Sequence, residues 1–175
     1  LKSVDSATMR YQRYQYFGWV CFFCLVAGLR FVHLEADFPT ELTWSGLLYT
    51  DEGWYARNAI AYELTGEWYV PGDFNPAINT PLFFLFQLIS FSLFGLHLFS
   101  ARLTVVFFSI LMFPLMYCLV RRHISRRAAL ISLLLLATNY TWFAFSRLAI
   151  MEIPMIFFIV LSVDLALRPD QKHAA

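Results

Sequence analysis

Apolar residues run through this chain in unbroken blocks, without the rhythm of a half-buried helix or the alternation of a strand. Four blocks, at about 14–32, 98–120, 128–146 and 153–167, read as helices crossing a hydrocarbon layer about 30 Å thick. A fifth, PLFFLFQLISFSLFG at 81–95, has 15 residues, or about 22 Å as a helix, and length alone leaves its role open. The pattern breaks between the first two long blocks, where a polar and aromatic stretch intervenes. Within it, EGWYARNAIAYELT (52–65) predicts a short helix: Tyr55, Ala59 and Tyr62 share a face, Asp51 falls at the N-cap, and Gly66 at the stop. Pro71, Pro76 and Pro81 then divide the chain into turns. The expectation is an all-α polytopic membrane protein forming a single module over 1–175, with an outer loop at 33–97 bearing juxtamembrane helices at about 52–65 and 81–95.

Charge assigns the sides. Lys2, Arg10 and Arg13 precede the first span, RRHISRR (121–127) follows the second, and Arg168 and Lys172 follow the last. All three groups reach the cytoplasm only if 81–95 does not cross; counting it as a span sends four arginines outside. The helix at 81–95 therefore reads as juxtamembrane or re-entrant, and the N-terminus as cytoplasmic. Eight of the twelve acidic residues lie in 33–80 beside one basic residue, Arg57, which agrees with an external loop. Its aromatics, among them Trp44, Tyr49, Trp54 and Trp68, suit a membrane interface.

Composition narrows the classes further. With 59% hydrophobic and 14% charged residues and a mean hydropathy of +0.59, the chain is unlike a soluble domain. No basic cluster interleaves with exposed aromatics, so nucleic acid is not expected as a partner. Cys21, Cys24 and Cys118 lie inside apolar blocks and read as structural thiols. His33, His97 and His123 have no metal-ligand spacing, and a divalent-metal requirement stays open. The first block lacks a small-residue cleavage site and reads as an anchor, and the chain reads as part of a longer protein. The sequon at Asn139-Tyr140-Thr141 falls inside a predicted span, so glycosylation is not expected there.

Two charged elements share the outer face in this topology: YTDEGWYARNA (49–59) and SRLAIMEIP (146–154). Charge at a membrane boundary is costly unless paired or facing a hydrated cavity, which suggests that Asp51, Glu52, Arg147 and Glu152 converge. A carboxylate there can take a proton from an attacking hydroxyl, and an arginine can hold a phosphate oxygen. The helix dipole keeps Asp51 anionic, as a base requires. Plainer roles fit the same residues. Asp51 fits a helix cap in a wet loop, and Arg147 and Glu152, five apart, need not face each other. Arg102 and Asp164 read as structural.

TDEGWYARNA, a turn-rich stretch ending in NTPL, then FGLHLFSARL, RRHISRRAALIS and SRLAIMEIP follow in an order that resembles one family. The chain is similar to the N-terminal part of the dolichyl-phosphate-mannose–protein mannosyltransferase-like proteins of glycosyltransferase family 39, and to the aminoarabinose transferases that modify lipid A. The resemblance covers about Arg10 to Arg168. It implies C-type glycosyltransferase-like helices and transfer of a sugar from a polyprenyl-phosphate donor to an acceptor at the non-cytoplasmic face. The acceptor is a protein hydroxyl, a lipid or a glycan; beyond the donor and membrane lipids, no partner is implied. Asp51 and Glu152 map onto catalytic positions, and Glu52, Tyr55 and Arg147 onto substrate-binding ones. Relatives commonly carry Lys-Pro-Pro-Leu or His-Pro-Pro-Leu where this chain has Asn79-Thr80-Pro81-Leu82, so Asn79 offers a hydrogen bond but no charge. A transporter or flippase component and a non-catalytic membrane scaffold are the other readings.

Overall fold

A computed structural model describes residues 6–36 and 51–168, with side chains from residue 17. Expectations resting on the side chains of Lys2, Arg10, Arg13, Trp44, Tyr49 and Lys172 lie outside that set. All regular structure among the described residues is helical: α1 (Ser6–Phe31), α2 (Asp51–Thr65), α3 (Pro76–Asn79), α4 (Pro81–Phe94), α5 (Leu98–His123), α6 (Arg126–Thr138), α7 (Tyr140–Phe145) and α8 (Glu152–Ala166). The chain through Val32 forms one compact unit and His33 onward a second.

Within the first unit, Arg30 Nη1 donates to the Val26 carbonyl 2.7 Å away, one turn back. In the second, α5 is the one helix among the described residues that is long and apolar enough to cross a membrane; α4 is apolar but shorter. Pro114 lies inside α5, where its missing N–H leaves one helical hydrogen bond unmade. Ser125 starts α6 by accepting from the Ala128 N–H (3.1 Å), so the RRHISRR segment forms the tip of an α5–α6 hairpin. Arg121, Arg122 and His123 occupy the last turn of α5, where the helix dipole favours cations. Arg122 and Arg168 both hold the buried Asp164 carboxylate, at 2.5 and 2.7 Å, fastening α5 to α8.

The run at 128–146, expected as one span, is divided at Asn139. That residue takes an extended backbone (ψ 114°), and its side chain accepts from the Trp142 N–H at 2.7 Å, capping α7 instead of continuing α6. Gly95 ends α4 at φ +84°, where a Cβ would come within 3.1 Å of the His97 ring.

The burial pattern differs from that of a water-soluble helical protein: large apolar side chains lie on the outside as well as the inside, and several polar ones are buried. Leu82, Leu85, Ile89 and Leu93 make one face of α4 and are exposed, Leu93 at 70%, while the opposite face turns Gln87 and Ser90 inward with Phe83 and Phe91. In α5, Ser100, Arg102, Thr104 and Ser109 are buried and Phe107 is exposed. α8 repeats this, with Asp164 inside and Met155, Ile159 and Val163 outside. Two apolar clusters occupy the interior. Ala56, Ala59, Phe91, Ala101 and Ala149 form the first, where α2 packs on α4 and α4 on α5. Phe83, Val105, Phe108 and Ile153 form the second, against which Tyr55, Trp142 and Phe145 pack.

Candidate active site

Asp51 and Glu52 open α2, and adjacent helical positions point about 100° apart. That step separates their environments: Asp51 is exposed, and Glu52 turns inward to 8% exposure. Glu52 meets Arg102, which is 1% exposed. The contact is bidentate, Arg102 Nε donating to Oε1 at 2.8 Å and Nη2 to Oε2 at 2.6 Å. Glu52 Oε1 also accepts the Ala149 N–H at 2.6 Å. Arg102 Nη1 donates to the Leu34 and Ala36 carbonyls at 2.8 and 3.1 Å. One ion pair thus joins four stretches of chain: the segment 33–36, the start of α2, the first turn of α5 and the turn after α7. Sequence reasoning placed Glu52 on substrate and treated Arg102 as an anchor. The usable signal was an arginine one turn into an apolar helix flanked by Ser100, Ala101 and Thr104, a position that demands a carboxylate.

The second charged element is a turn and not a helix. The Arg147 and Leu148 amides donate to Ala144 and Phe145 carbonyls at 3.1 and 3.3 Å, and α8 starts only at Glu152. Arg147 Nη2 donates to the His33 carbonyl at 2.7 Å, and its guanidinium lies 5.5 Å from the Phe143 ring centre. Burial, and then the neighbouring Arg102 charge, push the Arg147 pKa below its ordinary value.

Tyr55 connects the two elements. Its ring stands edge-on to Phe83 (6.2 Å between centroids) and to Trp54 (4.9 Å), which itself stacks on Phe74. Its hydroxyl pKa is raised above the ordinary 10.0 by burial first, then by the negative charges of Glu152 and Asp51. Asp51, Tyr55 and Glu152 therefore share one electrostatic neighbourhood.

Glu152 Oε2 is buried and finds no hydrogen-bond partner among the described residues; Trp142 Nε1 is in the same state. Both residues line a groove of about 710 Å³ whose walls are mainly apolar, including Met116, Leu135, Phe145 and Ile156. Asn79 sits exposed at the end of α3 and is not among the residues lining that groove. The loop ahead of α3 is held by Asn58, which donates to the Trp68 carbonyl and Asn75 Oδ1 (2.7 and 2.6 Å) and accepts from the Ala77 N–H (3.0 Å). No group of three or more His, Cys, Asp or Glu able to hold a metal ion occurs among the described residues.

Residues 78–174, more than half of the chain, match the family model of dolichyl-phosphate-mannose-protein mannosyltransferase. The chain belongs to this family. Its members are membrane glycosyltransferases that in general use a polyprenyl-phosphate-linked sugar and a glycan or protein acceptor. The matched region holds Arg102, Arg147, Glu152 and the whole groove; the acidic pair precedes it, joined to it by the Glu52–Arg102 bond. No curated protein and no solved structure matches the chain.

Proposed function

We propose that the chain is the N-terminal membrane portion of an inverting glycosyltransferase, taking sugar from a polyprenyl-phosphate donor at the non-cytoplasmic face. The supporting observation is the split of the acidic pair. Glu52 is committed to Arg102 and Ala149, which holds the start of α2 in place and leaves the adjacent Asp51 open to solvent near Tyr55 and Glu152. In the reaction, the acceptor hydroxyl oxygen bonds to the anomeric carbon while Asp51 takes its proton. The bond from that carbon to the phosphate oxygen breaks, and its electron pair leaves with the polyprenyl phosphate. Arg147 lends positive potential to the mouth as the phosphate is released. Glu52 acts through Arg102 as a positioning residue.

The membrane reading rests on apolar residues outside and polar residues inside α4, α5 and α8, the arrangement hydrocarbon requires. In it α4, about 21 Å long, stays on the outer side, and the RRHISRR hairpin tip faces the cytoplasm. Asp51→Asn in the full-length protein tests the catalytic part: sugar transfer to membrane lipids, glycans and proteins should vanish while membrane insertion persists. Near-normal turnover by that variant removes Asp51 as the base. Cysteine labelling that finds positions 51 and 152 on opposite faces of the bilayer removes the topology.

A further inference from the structure

Glu152 opens α8, and about 18 Å further along that helix Asp164 lies where three helix ends meet. Arg122, in the last turn of α5, reaches Asp164 Oδ1 at 2.5 Å, and Arg168, just past α8, reaches Oδ2 at 2.7 Å. The turn from α5 into α6 adds Arg121, His123, Arg126 and Arg127 to the same end. All four are exposed and Asp164 is buried, so the surface presents cations and the carboxylate lies beneath them. From Phe74 to Arg168 the chain holds two acids, Asp164 and the distant Glu152, and beyond it Asp170 is offset by Lys172. Arg126 and Arg127 also occupy the first turn of α6, which has no acidic residue and lies at the helix pole that disfavours cations. Positive charge is thus concentrated at this end beyond what the acids of the described residues balance.

An apolar row runs up to this charge. Met155, Ile159, Val163 and Leu167 recur every four residues along α8 and its C-cap, each about half exposed, and the last of them precedes Arg168. Ile124, within the arginine turn, is 73% exposed. A soluble phosphate or an acidic peptide matches the arginines but leaves the row uncovered. A zwitterionic lipid covers the row but brings an ammonium to a surface already rich in arginine. An anionic phospholipid answers both, its phosphate oxygens pairing with guanidinium groups while an acyl chain lies on the row. We propose that this end of the unit binds an anionic phospholipid, its phosphate among the arginines of the α5–α6 turn and Arg168, and an acyl chain along Met155, Ile159, Val163 and Leu167. The site lies at the far end of α8 from Glu152 and takes no part in sugar transfer. It rests only on the membrane reading of α5 and α8. The bound lipid supplies counter-charge at the hairpin tip and fastens α5, α6 and α8 within one leaflet.

The test is native mass spectrometry of the full-length protein in detergent, titrated with phosphatidylglycerol or with phosphatidylcholine of matched chains. Phosphatidylglycerol should bind at about tenfold lower concentration. Arg121→Gln together with Arg127→Gln, both outside the Asp164 ion pairs, should reduce that preference by about fivefold or more. Arg121→Lys with Arg127→Lys keeps the charge and should keep the preference. Phosphatidylglycerol bearing a diazirine on its acyl chain should label the 159–167 face of α8. Equal binding of the two lipids, a preference that the glutamine pair leaves intact, or label spread evenly over the exposed helices overturns the site. Displacement by glycerol phosphate or by polyglutamate at concentrations matching the lipid's assigns the charge to a soluble anion or to an acidic protein segment, and overturns the lipid. Reconstitution separates this proposal from the membrane reading. A protein that inserts into vesicles without preferring phosphatidylglycerol sinks the site alone, and one that fails to insert sinks both.

Discussion

Arg102→Met removes the guanidinium while keeping most of the side chain's apolar length. Glu52 then stays buried with a carboxylate whose remaining partner in the site is the Ala149 N–H, and the Leu34 and Ala36 carbonyls lose their Arg102 donor. Removing one member of a buried ion pair costs about 3–5 kcal/mol, mostly because the other charge is stranded. Each abandoned carbonyl adds up to about 1 kcal/mol unless water reaches it. A loss of about 4 kcal/mol is therefore expected, a large part of the stability of any single domain. Glu52→Gln keeps an acceptor for Ala149 but gives up the charge, at about 2–3 kcal/mol. The double variant no longer strands a charge, so its cost should fall at least about 2 kcal/mol short of the sum. Denaturant unfolding of the full-length protein in mixed micelles, followed by tryptophan fluorescence, measures all three. A cost below about 1 kcal/mol for Arg102→Met, or strict additivity, would refute the buried pair.

Tyr55 should lose its proton above the ordinary 10.0, because burial and two carboxylates disfavour the phenolate. Folding stability from this group is present below pH 10 and lost as pH rises through its higher folded value; the alkaline difference in absorbance between the parent and Tyr55→Phe should show that midpoint, and Glu152→Gln should lower it. A midpoint at or below 10 would refute the buried setting of Tyr55, and a midpoint that Glu152→Gln leaves unmoved would separate Glu152 from it. Asn58→Ala deletes bonds to Trp68, Asn75 and Ala77 and should cost about 2–3 kcal/mol, with faster proteolytic nicking between Gly66 and Asn75; unchanged nicking would separate Asn58 from the order of that loop.

Block length and turn residues made most helix positions readable before any coordinates. Asp51–Thr65 and Pro81–Phe94 agree with 52–65 and 81–95 to one residue at either end, because Gly66 and Gly95 occupy left-handed stops and Pro81 opens α4. The break at Asn139 was hidden inside an apolar run, since nothing in hydropathy reports that an amide will cap the next helix. The site was legible in part. Its two charged elements could be named, but not which of the adjacent carboxylates turns inward, because the phase of α2 is set by tertiary packing on α4, with Ala56 and Ala59 in one cluster with Phe91, Ala101 and Ala149. The partner of Glu52 lies 50 residues away at Arg102, and pairing at that separation leaves no local trace. Trp142 gave no sign at all. Its buried, unmatched indole N–H is a property of packing.

The Glu52 carboxylate reaches the amide of Ala149 across 97 residues of sequence. On the ribosome, that acid is made first and must wait for Arg102 and then for the turn after α7 to be synthesised. Until they arrive, the nascent chain carries an unneutralised charge where dry protein will later close. Assembly of this mouth is therefore a late event in biogenesis, and a product stalled before residue 102 holds its acidic pair with neither Arg102 nor Ala149 yet there to tell Asp51 and Glu52 apart.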